Sequence, residues 1–380
     1  MGTTCHSYYT KGADEYVIEN DLYKITIDLS AGGTIKSLIA KKMKQKEFLQ
    51  ESSTFKFGEL RGFFYEENQF RSNATHKASI GRVEKTFNQI SVEVKSQIGE
   101  HPVSQFITLN HGDYKINCSL EIDWKDNPGI GEFKAKDVWG ANHRPFYNDR
   151  YKLLLLFPTV LNEQDVYKNA PFDVCKSSLE NTFYSTWDSI KHNIILNWVD
   201  FVEKNNKYGL ALLSDHTTSY THGNDFPAGL TIQYSGIGLW NKTYSITEKT
   251  HINYALIPHE GLWDKAGLWT ESIKWNEPLL VHTYTNNLTE QGRSLISLNK
   301  KGYEITTVEI KDHNLYVRLF NAEADHTPVK INVAFEVNKI EEVELDGSVI
   351  ETLQAKTTDK GKSIAVKIPR FGLKTFKISQ

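Results

Sequence analysis

At 380 residues the chain is long enough for two or three domains and a large buried core. A formal net charge of -3 leaves no electrostatic footprint for nucleic acid or an anionic membrane surface. The three cysteines, Cys5, Cys118 and Cys175, form no CxxC and no Cys/His cluster, which excludes a dense disulfide framework and a structural zinc site. No apolar stretch is long enough to span a bilayer, and Met1-Gly-Thr-Thr-Cys-His lacks the basic and apolar segments of a leader. The expectation is a soluble protein, cytoplasmic by default, with neither nucleic acid nor membrane as a partner.

Aromatic residues make up 12% of the chain and methionine contributes only 2, a mix suited to pleated, half-buried surfaces. From Tyr16 to Leu29 two strands are expected, with Asn20-Asp21 near the turn, and Gly32-Gly33 supplies cheap positive φ before Thr34-Ile-Lys-Ser-Leu38 resumes a strand. Between Gly81 and Trp124 the segments Ile90–Lys95, Ser104–Leu109 and Tyr114–Trp124 alternate apolar and polar residues, which argues for antiparallel sheets with one buried face. The run Tyr151-Lys-Leu-Leu-Leu-Leu-Phe157 is short enough to be a buried strand. Tyr208–Asp215, Gly229–Tyr234 and His251–His259 read as three more strands, the first two joined by a polar loop from Asp215 to Asp225. A domain boundary is expected between Trp275 and Arg293, dividing the chain into 1–280 and 281–380. Beyond it, short strands separated by turn residues describe a small β-sandwich. Helix is expected only as short pieces in connections.

The elements Tyr208-Gly-Leu-Ala-Leu-Leu-Ser-Asp215 and Tyr254-Ala-Leu-Ile-Pro-His259 resemble the C-terminal β-rich region of family 38 glycoside hydrolases, the retaining α-mannosidases. The opening Glu19-Asn20 with Gly32-Gly-Thr-Ile-Lys-Ser-Leu38, the strand Trp198-Val-Asp200, and the closing elements Tyr316–Asn321, Glu342–Gly347 and Phe371–Ile378 follow the same order, so the likeness covers about residues 15 to 380. Asp173 departs from the family pattern, standing where Gly is usual, as do Cys175-Lys176 where an acidic residue and Arg are common. The resemblance implies an all-β chain: a large mutarotase-like antiparallel super-sandwich followed by a smaller β-sandwich. It further implies a separate N-terminal α/β catalytic domain, absent from this chain, that carries zinc and an Asp nucleophile and acts on mannose-containing glycans.

On that reading the chain is the non-catalytic C-terminal portion of an α-mannosidase-like hydrolase, inactive alone and without a cofactor of its own, bracing the catalytic domain and lining the rim of its carbohydrate site. The alternatives are a free-standing carbohydrate-binding protein and a mutarotase-like sugar epimerase using a His/Glu pair, for which His143, His192, His251 and Glu132 are the candidates. His111-Gly-Asp113 has the spacing of two zinc ligands, yet it falls between alternating strands and reads as a hairpin turn. The carbohydrate-binding or domain-docking surface is expected on two polar stretches, one with Trp139, His143, Arg144 and Tyr147 and one with Asp215, His216, Tyr220, His222 and Asp225. In the second stretch Tyr220 is expected to offer a stacking face. Trp187 and Trp240, with Trp139, are further candidates for a sugar platform.

Overall fold

A computed structural model describes residues 8–50, 54–132, 148–177, 193–223, 225–238, 242–277, 279–281, 283, 294–359 and 361–379. These residues form two compact units, one of Met1–Ala170 with Val174–Leu262, the other of Pro171–Asp173 with Trp263–Gln380. Both are built from antiparallel sheets, as the alternating patterns require.

The first unit holds a five-stranded meander from Tyr8–Lys11 to Lys46–Glu47, a nine-stranded sheet and a six-stranded sheet. In the nine-stranded sheet the strands Gln89–Ile98, His101–Asn110 and Ile116–Ile122 follow one another, and Thr250–Glu260 and Tyr208–Ser214 continue the same ladder. The six-stranded sheet runs in the order Ile194–Ile195, Thr218–Gly223, Phe226–Gln233, Leu153–Phe157, Glu59–Phe64, Gln69–Ser72. Alternate residues of these strands, such as Leu60, Leu155, Phe201, Leu212 and Tyr254, enter one continuous core. This is the super-sandwich arrangement expected from the sequence. Gly32 and Gly33 both have positive φ, 68° and 76°, and both are crowded: a Cβ would meet the Asn73 backbone at the first and the Val94 side chain at the second. Only glycine meets both conditions there.

The strand Leu153–Phe157 is buried on both faces. Leu153, Leu155 and Phe157 join the main core, while Leu154 and Leu156 turn the other way and pack with Phe226 and Phe55. The six-stranded sheet therefore has a second, outer face with its own apolar cluster.

The second unit is a β-sandwich of a four-stranded and a five-stranded sheet around Val317, Leu319, Ile331, Ile340, Ile364 and Phe376. Its helices are short, Trp263–Ala266 and Leu268–Asn276. The expected boundary lay after Trp275, whereas the compact units divide between Leu262 and Trp263. The difference is the second helix: the Trp269 ring centroid lies 5.4 Å from that of Phe320, and Thr270 donates its amide and hydroxyl to Glu323 at 3.1 and 2.8 Å. No helix among the described residues is long and apolar enough to cross a membrane.

Candidate functional site

The polar stretch from Asp215 to Asp225 is a strand over most of its length, not a loop. Thr218–Gly223 pairs with Phe226–Gln233 and with Ile194–Ile195. Two of its hydroxyls are taken up by that pairing: Thr218 donates to the Thr231 carbonyl at 2.6 Å and Ser219 to the Thr231 hydroxyl at 2.7 Å. A strand whose hydroxyls bond to the neighbouring strand of its own ladder reads in sequence as a solvated loop.

The correction extends to Tyr220, which is 0% exposed within the main core, its ring 6.1 Å from that of Phe201. Burial raises its phenol pKa above the usual tyrosine value. A ring so placed offers no face for stacking a sugar. Asp215 and His216 pair with each other at 2.6 Å, and Asp215 also accepts the Asn253 amide and side chain, both at 3.0 Å, so the two residues close a turn at the start of the strand. His222 and Asp225 do come together, in a cleft at the far end. Trp139, His143, Arg144, Tyr147, Trp187, Trp240 and His192 lie outside the described residues. Of the remaining epimerase candidates, His251 stands 3.3 Å from Glu121 and Glu132 accepts from Asn148 at 3.2 Å, so the two are not paired with each other.

The cleft has a volume of about 740 Å³ and opens where the hairpin of Thr218–Gly223 and Phe226–Gln233 meets the strand Gln164–Ala170. Phe55 and Phe226 form an apolar wall with ring centroids 5.2 Å apart, and His222, Glu163, Gln164, Asp165 and Asp225 supply polar groups. His222 packs on Phe201 at 5.6 Å, and burial lowers its pKa below the usual histidine value, so the imidazole is held toward its neutral form. Glu163 faces Lys204 at 3.4 Å and Asp165 faces Lys176 at 2.6 Å. Each of these carboxylates has a lysine beside it, which suits hydrogen bonding to hydroxyls better than proton transfer. Sequence reasoning missed Phe55, Glu163, Asp165 and Phe226. The one signal was the polar run Asn162-Glu-Gln-Asp165 directly behind a buried apolar strand.

Across the Phe55–Phe226 wall the same sheet face carries a second cavity of about 520 Å³, bordered by Arg61, Phe70, Asn148, Arg150 and Tyr151. Strand parity places Arg61 there, because Leu60 and Phe64 occupy the core and Arg61 pairs with Leu154 and Ser72. The rings of Phe63, Phe70 and Tyr151 lie within 5.0 to 5.2 Å of one another. The turn Asp149–Tyr151 is fixed from behind, where buried Asp149 meets Lys152 at 2.7 Å and accepts from Asn193 at 2.6 Å. Asn193 also donates to the Tyr220 carbonyl at 2.7 Å, tying the turn to the strand that leads into the first cleft.

Among the described residues no group of three or more His, Cys, Asp or Glu is placed to hold a metal. His111 is 2.9 Å from Asp21 and Asp113 is 2.8 Å from Lys115, at a turn where Gly112 has φ 69°, so the His-x-Asp triplet is part of a hairpin. The side chains described do not fit a zinc ion.

Two family models match the chain in order. The glycosyl hydrolases family 38 C-terminal domain matches residues 18–225, and the glycosyl hydrolases family 38 C-terminal beta sandwich domain matches residues 302–376. The chain belongs to glycosyl hydrolase family 38. The family 38 likeness extends to solved structures. An α-mannosidase from Enterococcus faecalis V583 superposes with a TM-score of 0.68 at 13% identity, over 98% of this chain and 43% of that one. A family 38 protein from Enterococcus faecalis gives 0.67 at 12% identity, over 98% and 45%. At these identities the likeness is one of fold, and this chain spans less than half the length of either protein. A galactose mutarotase-like protein from Clostridium acetobutylicum is similar at a TM-score of 0.38 and 8% identity, over 68% of this chain and 99% of that one, a likeness too weak to carry argument. No curated protein matches in sequence.

Proposed function

We propose that this chain serves as the C-terminal, non-catalytic β region of an α-mannosidase-like retaining hydrolase, bracing an α/β catalytic domain and contributing the cleft at His222 and Asp225 to the rim of its carbohydrate site. The observation that carries the reading is the composition of that cleft within a family 38 C-terminal domain: an aromatic wall of Phe55 and Phe226 opposite His222, Gln164 and three carboxylates. Sugars are bound by this division of labour, since a ring face takes the C–H side of a pyranose while carboxylates and amides accept its hydroxyls. The expected zinc and the Asp nucleophile belong to the catalytic domain on this reading, and mannose-containing glycans are the ligand class.

Calorimetric titration of the chain with α-linked mannotriose tests the rim. Saturable binding of about millimolar affinity is expected, because one wall of a shared site supplies only part of the contacts. Asp225→Ala and His222→Ala should each weaken it by about fivefold, the loss of roughly one hydrogen bond. Binding that is absent in the wild-type chain, or unchanged in both variants, overturns the carbohydrate assignment. The bracing role is read separately, as co-sedimentation with a family 38 catalytic domain supplied on a second chain, and failure to associate overturns that part.

A further inference from the structure

The five-stranded sheet of the second unit ends on one side at the strand Tyr303–Lys311, whose strand partner among the described residues is Asn314–Asn321. Asp312 and His313, with positive φ of 49° and 61°, make the tight two-residue turn between the two. Along an edge strand every second residue turns its amide and carbonyl away from its one neighbour, and among the described residues no strand pairs with that side here. Edges are commonly blunted by charge, as at Ser79–Lys85 on the rim of the nine-stranded sheet, where Arg82, Glu84 and Lys85 are exposed. Tyr303–Lys311 differs. Ile305, Val308 and Ile310 stand opposite Leu319, Val317 and Leu315 and so share the inner face of the sheet, yet they are 41%, 62% and 78% exposed while Val317 and Leu319 are buried in the core. The apolar face is carried one strand further than the core beneath it, which is what a covered edge requires.

The order of side chains along the strand is complementary to itself. Thr306 is bulged out of register between Ile305 and Thr307, so the inner face carries Ile305, Val308 and Ile310 and the outer face carries Glu304, Thr307, Glu309 and Lys311. Set antiparallel against a second copy with Val308 on the two-fold axis, inner residues meet inner and outer meet outer. Ile305 then faces Ile310, Thr307 faces Glu309 and Glu304 faces Lys311, each twice by symmetry. Apolar and opposite-charge pairs result, and no like charges stand directly opposite. Sliding the copies by two residues sets Glu304 against Glu309 in one direction and Glu309 against itself in the other. Sliding by one sets the apolar row against the polar one. Glu304 already accepts the Trp269 indole at 3.1 Å, which orients its carboxylate and leaves lone pairs for a lysine.

We propose that this edge is a self-association surface, on which a second copy of the chain pairs antiparallel through Tyr303–Lys311 and joins the two five-stranded sheets into one. The occupant is chosen by charge complementarity, and the inference is independent of the sugar reading of the cleft.

Sedimentation equilibrium of the full chain up to about 200 micromolar tests it. A monomer–dimer equilibrium with Kd of about tens of micromolar is expected, because a single strand pair lies at the small end of interface sizes. Val308→Lys sets two lysines together on the axis and should raise Kd by about tenfold or more. Lys311→Glu and Glu304→Lys should each weaken self-association by about fivefold, since each variant faces like charge with like at two places. An equimolar mixture of those two variants should associate as the wild type does, every such pair being opposite again. Ile350→Lys, on the exposed strand Val349–Thr352 at the other edge of the same sheet, should change nothing. Circular dichroism reports whether Glu304→Lys keeps its fold without the Trp269 bond, and Val308→Lys, at an exposed position, decides the matter if it does not. A chain that stays monomeric at about 200 micromolar overturns the proposal, as does a dimer that Val308→Lys leaves intact. A mixture no stronger than its components overturns the register. If the chain is monomeric and Val308→Lys instead abolishes association with a supplied family 38 catalytic domain, the edge belongs to that domain and the proposal also falls.

Discussion

The cleft at Asp225 and the cavity at Arg61 lie on either side of one pair of rings, Phe55 and Phe226, yet they treat charge in opposite ways. In the cleft Glu163 and Asp165 each have a lysine within ion-pair distance, supplied from outside the aromatic wall. In the cavity the Arg61 guanidinium stacks on the Phe70 ring, and Glu59, whose charge acts on it, is bound to Ser72 and Lys56. The lesson is that charged residues in a wall do not by themselves indicate a ligand. A carboxylate with its own lysine is a locally neutral, hydrogen-bonding surface, whereas a guanidinium stacked on a ring is held in place by an apolar face.

The largest effect should come from breaking the support behind the cavity and leaving its wall residues in place. Asp149 is fully buried against Lys152, and it holds the turn that presents Arg150 and Tyr151. Asp149→Ala leaves a buried lysine without its carboxylate and should cost about 3–5 kcal/mol in urea unfolding of the first unit. If the variant unfolds at the wild-type urea concentration, the pair is not the support described here.

A smaller effect, confined to the cleft, follows from His222. Its folded-state pKa is depressed by burial, so in this region of pH the unfolded chain binds the proton more readily than the folded one. The sign is therefore that stability is unaffected well above the unfolded histidine value of about 6.5 and declines as pH falls below it toward the folded value. The thermal midpoint should drop from pH 7 to pH 5, and His222→Phe should flatten that part of the profile. An identical slope in the variant would assign the acid sensitivity to other groups.

Much of the fold was legible because period-two alternation is visible wherever one sheet face meets the core and the other meets water. Gln89–Ile98, His101–Asn110 and the strands of the second unit follow that rule. Thr218–Gly223 escaped it because both faces carry polar or hydroxyl-bearing residues, and the hydroxyls of Thr218 and Ser219 are spent on Thr231 across the ladder. Two sequence motifs acquired a physical reason only in three dimensions. Trp198-Val-Asp200 and Ile257-Pro-His259 belong to strands that flank Tyr208–Ser214, and Asp200 and His259 meet at 2.8 Å with both side chains buried. Gly209 lies between them, where a Cβ would come 2.5 Å from the His259 ring. The arginine cavity was not legible at all. It joins Arg61, Phe70, Arg150 and Phe226 from four separate stretches, and strand register brings them together in a way local pattern does not record.

The smallest effect tests whether local neutralisation in the cleft contributes to stability or only sets its charge. Lys176 donates to Asp165 at 2.6 Å from a largely exposed position, and that hydrogen bond raises its pKa above the usual lysine value. A lysine pKa raised on folding gives stability that is fully present below the unfolded value, about 10.4, and lost only above the folded one, so nothing should change between pH 5 and pH 9. Screening by solvent reduces the contribution of such a pair, and Lys176→Ala should alter the unfolding free energy by no more than about 0.5 kcal/mol. The same change removes one positive charge from the rim and leaves Asp165 facing the cleft without its lysine. Mannotriose is uncharged, so its affinity should stay within about twofold of the wild type, because a carboxylate accepts hydrogen bonds from hydroxyls with or without a lysine beside it. A loss above about 1 kcal/mol would mean that the pair holds the Gln164–Ala170 strand in place. In that case the contrast between the cleft and the cavity would be one of architecture as well as of charge.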